Sequence, residues 1–117
     1  MEKEETNNYE VRFTPLSRQY FYDVLDYFYD LYPLERAEQL ADELEQKAMS
    51  LNHQPYRGRV EEELNEEPLE YRFILYQRTK RADIKIIYHI DEGAKIIYLT
   101  DFFSTERDRE DLSKRIG

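Results

Sequence analysis

The stretch from Ile84 to Phe103 limits what this chain can fold into more than any other. It runs Ile84-Lys85-Ile86-Ile87-Tyr88-His89-Ile90, then Asp91-Glu92-Gly93-Ala94, then Lys95-Ile96-Ile97-Tyr98-Leu99-Thr100-Asp101-Phe102-Phe103. Two runs rich in β-branched and aromatic residues flank a short turn containing a glycine, which is a β-hairpin signal. The chain is otherwise very polar, with 37% charged residues. Whatever core it has must be built on this hairpin. In the first run Ile84, Ile86, Tyr88 and Ile90 share one face, and Lys85, Ile87 and His89 share the other. The apolar set points to a packed layer, and Lys85 and His89 fall on the opposite face.

The rest of the chain supplies that layer. Residues 1–8 are polar and charged and read as a disordered tail, leaving a single domain over 9–117. Tyr9 to Phe13 alternates apolar and charged residues, as a half-buried strand does, with Tyr9, Val11 and Phe13 inward. Thr14-Pro15 opens a helix, threonine as N-cap and proline in the first turn. Leu16, Tyr20, Val24, Phe28 and Leu31 form its stripe, widened by Phe21 and Leu25. Tyr32-Pro33 ends it, because a residue before proline avoids helical dihedrals. A second helix follows, with Leu34, Ala37, Leu40, Ala41, Leu44, Ala48 and Leu51 at helical spacing. The short link makes the pair an antiparallel hairpin, and the alanines permit close approach. Pro55 and Gly58 mark a loop. The acidic run Glu61 to Glu67 reads as a solvated loop or short helix. Leu69 to Tyr76 is a strand, with Tyr71, Phe73 and Leu75 on one face and Arg72, Ile74 and Tyr76 on the other. Arg78, Lys80 and Arg81 make a basic turn. After the hairpin, Ser104-Thr105-Glu106 looks like an N-cap for a short charged helix or tail anchored by Leu112 and Ile116. The expected fold class is α+β: an N-terminal strand, an antiparallel helical hairpin, a three-stranded antiparallel β-meander forming one sheet, and a short C-terminal helix.

Composition removes several functions. There is no cysteine, so disulfides and thiol chemistry are excluded. His53 and His89 are far apart in the chain and the carboxylates lack ligand spacing, so no metal site is expected. Three glycines cannot build a phosphate-cradling loop, and no cofactor is expected. No run is apolar enough to span a bilayer, and the acidic N-terminus does not suit a secretion signal, so a cytoplasmic location is the default. A net charge of −9 argues against binding driven by nucleic-acid phosphates. The eleven tyrosines suit either a core boundary or a protein interface, since each has an apolar ring and a wet hydroxyl.

The order of elements, with these residues in it, resembles the RelE/ParE superfamily of toxins from type II toxin–antitoxin systems. The first strand leads into Thr14-Pro15. Pro33-Leu34-Glu35-Arg36-Ala37 opens the second helix. Leu51, Pro55, Gly58 and Arg59 resemble the family's leucine, proline, glycine-arginine passage. Arg72 resembles the arginine of the next strand. Ile86 to Ile90 and Lys95 to Leu99 resemble the last two strands, and Phe102 to Asp108 the region before the C-terminus. The resemblance covers roughly residues 9 to 112 and rests on order and spacing.

It implies a toxin held inactive by a cognate antitoxin, and it implies two mechanisms. RelE-like members are ribosome-dependent mRNA endonucleases. ParE-like members poison DNA gyrase by protein contact. RNA cleavage through the 2′-hydroxyl needs a base, positive charge for the phosphorane, and an acid for the leaving oxygen. Arg72, His89 and Arg107 are the candidates for such a site, with Lys85 and Arg109 beside them and Tyr88 or Tyr98 as hydroxyl donors. Three departures favour the ParE-like reading. The second sheet strand offers Arg72 and Ile74 in place of lysines, Leu112 stands nearest the place of a late tyrosine, and Glu106 to Asp111 alternates charge. A toxin-derived domain that has lost activity is a third reading.

Overall fold

The computed structural model describes residues 8–77, 83–105 and 112–116. The tail over 1–7, the basic turn with Arg78, Lys80 and Arg81, and the segment 106–111 with Arg107 and Arg109 lie outside the described residues. Strand β1 (Glu10–Phe13) runs into helix α1 (Pro15–Leu31). Thr14 caps the helix: its Oγ1 accepts the Ser17 amide at 3.1 Å, and Ser17 Oγ donates back to the Thr14 carbonyl at 3.0 Å. Tyr32 is extended before Pro33, and helix α2 (Leu34–Met49) turns back. Phe21, Val24 and Phe28 of α1 and Ala37, Leu40, Leu44 and Ala48 of α2 are buried. Leu31 and Leu34, placed on the stripes by periodicity, flank the inter-helix turn and are 54% and 65% exposed. The stripes therefore stop short of the turn.

The sheet has five strands where the sequence predicts four. Strands β3 (Arg72–Gln77), β4 (Asp83–Asp91) and β5 (Ile96–Ser104) form the expected antiparallel meander, and β1 joins its edge parallel to β5. The additional strand is β2 (Arg59–Val60), two residues paired with Phe73 and Arg72, giving the order β1-β5-β4-β3-β2. A two-residue strand has no periodicity to reveal it. Ile74, Tyr76, Ile84, Ile86, Tyr88, Ile97, Leu99 and Phe102 pack under the helices in one cluster. In the β4–β5 turn the left-handed residue is Lys95, at φ 58°, rather than Gly93.

The sheet's second face is covered as well. Leu64, Tyr71, Ile87 and Leu112 are buried there, with Phe73, Phe103 and Ile116 packed around them. The cover comes from two 3-10 turns, Glu62–Leu64 and Leu112–Arg115. The second of these is what the described residues show of the expected C-terminal helix. A β-bulge makes this arrangement work. Ile87 pairs with Asp101 and Tyr88 with Leu99, so Thr100 is an extra residue in β5. Its Oγ1 donates to the Ile87 carbonyl at 3.1 Å. Ile97 and Leu99 face the helices before the bulge. After it the parity is shifted by one, so Phe102 faces the helices and Asp101 the second face.

Deleting Thr100 would join Leu99 directly to Asp101, and the regular alternation that results keeps Leu99 and Phe102 under the helices and Asp101 on the second face. We expect this deletion to preserve a cooperative urea transition with an altered midpoint. Thr100→Val keeps the extra residue and loses one hydrogen bond, so it should cost on the order of 1 kcal/mol. Circular dichroism across a urea titration separates the two outcomes.

Candidate functional site

The loop between α2 and β2 is held against the end of the sheet by side chains from β3 and β4. Leu51 is fully buried and Pro55 is buried beside it. Gln54 adopts a left-handed conformation, φ 55°, to bring the chain round. The Tyr88 hydroxyl donates to the Pro55 carbonyl at 2.6 Å and accepts the Gly58 amide at 3.2 Å. Burial pushes the Tyr88 phenol above its ordinary pKa. A Cβ on residue 58 would lie 2.3 Å from that hydroxyl and 2.7 Å from the Phe73 carbonyl, so only glycine fits. Arg72 completes the clamp. It donates to the carbonyls of Gly58 at 2.8 Å and Tyr56 at 3.3 Å, lies 3.3 Å from the Glu70 carboxylate, and stacks on the Tyr56 ring at 5.2 Å.

A second cluster ties this loop to the chain ends of the sheet. Glu92, in the β4–β5 turn, accepts the hydroxyls of Tyr9 at 2.9 Å and Tyr56 at 2.6 Å and is paired with Lys95. Hydrogen bonds from Lys95, Tyr56 and Tyr9 hold its carboxyl at about 2. The same carboxylate pushes the Tyr56 phenol up. Next to this cluster an open depression of about 790 Å³ is lined by Asn8, Tyr9, His53, Gln54, Pro55, Tyr56 and Arg57.

Of the residues named from nuclease chemistry, Arg72, Lys85 and His89 fall on two faces of the sheet, and Arg107 lies outside the described residues. Arg72 pairs with Tyr88 across the β3–β4 ladder and so stands on the helix face, whereas His89 and Lys85 stand on the second face. Parity along one strand does not reveal which face of the next strand it matches. That register is set across the β3–β4 connection. Lys85 is not a free cation. It forms an ion pair with the buried Glu61 at 2.7 Å and lies 4.5 Å over the Phe73 ring. His89 sits between the rings of Tyr71 and Tyr98, at 5.6 and 5.2 Å, and desolvation lowers its pKa. Arg72 and His89 do meet at one place, a small cavity of about 90 Å³ at the start of β3 lined by Tyr56, Leu69, Glu70, Arg72, His89 and Ile90. His53 is exposed, and no group of three or more metal-ligating side chains exists among the described residues. Sequence reasoning missed Glu61 and Glu92. Glu61 belongs to an acidic run that reads as solvated throughout, and Glu92 sits in a turn whose partners lie 83 and 36 residues away.

Residues 11–109 match the family model of the ParE toxin of the type II toxin-antitoxin system parDE. The chain belongs to this family. Comparison with curated proteins and with solved structures gives no match. Membership spans the passage from Leu51 to Arg59, whose leucine, proline and glycine are buried. It also implies a cognate antitoxin for this ParE-family toxin. No helix among its described residues is long and apolar enough to cross a membrane.

Two outcomes test the geometry. Gly58→Ala should destabilise the protein by on the order of 3 kcal/mol through overpacking, and Tyr88→Phe by on the order of 2 kcal/mol by leaving the Pro55 carbonyl unpaired. Urea titration checks both. The Glu92 pKa is depressed on folding, so its contribution is present above pH 4.5 and lost as pH falls towards about 2. The Glu92→Gln protein should therefore show a flatter stability curve than wild type across that window, as read by urea midpoints at successive pH values.

Proposed function

We propose that this toxin acts by binding and inhibiting a cellular protein such as DNA gyrase in the cytoplasm. The cognate antitoxin neutralises it by wrapping its helices or sheet. The observation that carries this reading is the engagement of Arg72. Its guanidinium is used on two loop carbonyls and Glu70, which makes it a structural clamp rather than a phosphate ligand. The pairing of Lys85 with Glu61 supports the same view. So does the net charge of −9, which opposes binding through phosphates.

RelE-like cleavage of ribosome-bound mRNA is the second reading, and one observation favours it: Arg72 and His89 line the same small cavity. His89, with its lowered pKa, is neutral at physiological pH and has the protonation state of a general base.

Two assays on the purified protein separate the readings. The first expects inhibition of gyrase supercoiling, relieved by the antitoxin, with no cleavage of ribosome-bound mRNA. Cleavage that falls about a hundredfold or more in His89→Gln, with supercoiling untouched, would overturn it in favour of the second.

A further inference from the structure

Residues Leu112 to Ile116 are tied to the sheet through Arg115. Arg115 forms a two-pronged ion pair with Asp101, Nε to Oδ2 at 2.8 Å and Nη2 to Oδ1 at 2.7 Å. The side chains are 5% and 7% exposed. The guanidinium lies 4.0 Å over the Tyr20 ring and 5.2 Å from the Phe103 ring. The Tyr20 hydroxyl donates to the Arg115 carbonyl at 3.0 Å. The segment thus reaches from α1 on one side of the sheet to Asp101 on the other. On β5 it meets residues beyond Leu99, the last residue paired with β1. Asp101 can accept Arg115 only because the Thr100 bulge turns it to the second face.

From these contacts we infer that residues 112–116 are a strap that opens locally, with Asp101–Arg115 as its latch, and that opening removes one of the two covers from the apolar second face, leaving Ile87 and Phe103 under the Glu62–Leu64 turn alone. The free-energy balance favours local opening over global unfolding. The strap is not a strand of the sheet, and its apolar anchors are Leu112 and Ile116 alone. Separating a buried ion pair returns two ions to water, and their hydration offsets most of the lost attraction. The main core keeps its two helices and the helix face of the sheet when the strap leaves. Segments with few apolar anchors open sub-globally at a fraction of the global free energy.

The absence of cysteine makes the test clean, because one introduced thiol reports one place. Ile87→Cys places a probe under the strap, where Ile87 is 1% exposed. Ala48→Cys places one in the main core, where Ala48 is fully buried. Each full-length protein is labelled with a small alkylating reagent under native conditions, and rates are corrected for its urea-measured stability. The expected result is labelling at position 87 at least about tenfold faster than at position 48. Adding Asp101→Asn should raise the first rate several-fold and leave the second unchanged. If Asp101→Asn does not fold, Arg115→Lys keeps the charge but breaks the two-pronged geometry and serves the same purpose. Equal rates at the two positions would show that the face is uncovered only by global unfolding and would overturn the strap. Faster labelling at 87 that ignores both latch variants would overturn the latch.

Discussion

The Tyr88 hydroxyl is the contact on which the arrangement at the sheet's end depends. It lies at the bottom of the main core, fully buried, and bonds two backbone groups of a loop that arrives from α2. In a low-dielectric interior such bonds are strong when made and costly when missing. That asymmetry fixes the loop path. Pro55 must offer its carbonyl, Gly58 must bring its backbone within reach of the phenol, and no side chain fits at 58. Arg72 then satisfies the carbonyls of Tyr56 and Gly58 that the turn leaves facing the sheet. The residues that carry the family resemblance in this region are thereby one physical unit. Their spacing in sequence records a chain folded back onto a tyrosine and an arginine of neighbouring strands.

A second constraint is the bulge at Thr100. Without it, β5 would present Asp101 to the main core and Phe102 to the other face. Absorbing Thr100 as a bulge places an aromatic ring against Phe13 and Phe21 on the helix side, at 5.8 and 5.1 Å, and a carboxylate on the second face. There the carboxylate meets Arg115. The sheet consequently has two apolar faces, one under the helical hairpin and one under two short turns. Neither face is the open, solvated surface that the alternation of Lys85 and His89 with apolar residues suggests.

How much of this was legible follows from the range of each signal. The helices, their limits at Thr14 and Pro33, and the meander could be read because caps, prolines and periodicity act within a few residues. The inward set Ile84, Ile86 and Tyr88 could be read because strand parity is local. The face of Arg72 could not, because it depends on the register between β3 and β4, and both faces of β3 carry aromatic or aliphatic residues. The burial of Glu61 could not be read for a related reason. In a run of acidic residues nothing local marks the one that meets Lys85 from another strand. The bulge was hidden because Thr100 is an ordinary strand residue and the parity of Phe102 and Phe103 is ambiguous when both are aromatic.

The charges follow from the same geometry and bear on function. Arg72, Lys85 and Arg115 are each turned inward and each faces a carboxylate, Glu70, Glu61 and Asp101 respectively. Three cations are therefore neutralised by the fold itself, and the excess of acidic residues is left to the surface. An oligoanion approaching such a protein meets repulsion at long range. A protein partner does not face that barrier, because its own charges can be arranged to complement an acidic surface and its apolar groups can meet exposed side chains such as Tyr22 and Tyr29. The internal use of these basic side chains is what supports the proposed inhibition by contact. Among the described residues, Arg72 and Lys85, two cations that phosphate chemistry would draw on, are already engaged by the fold.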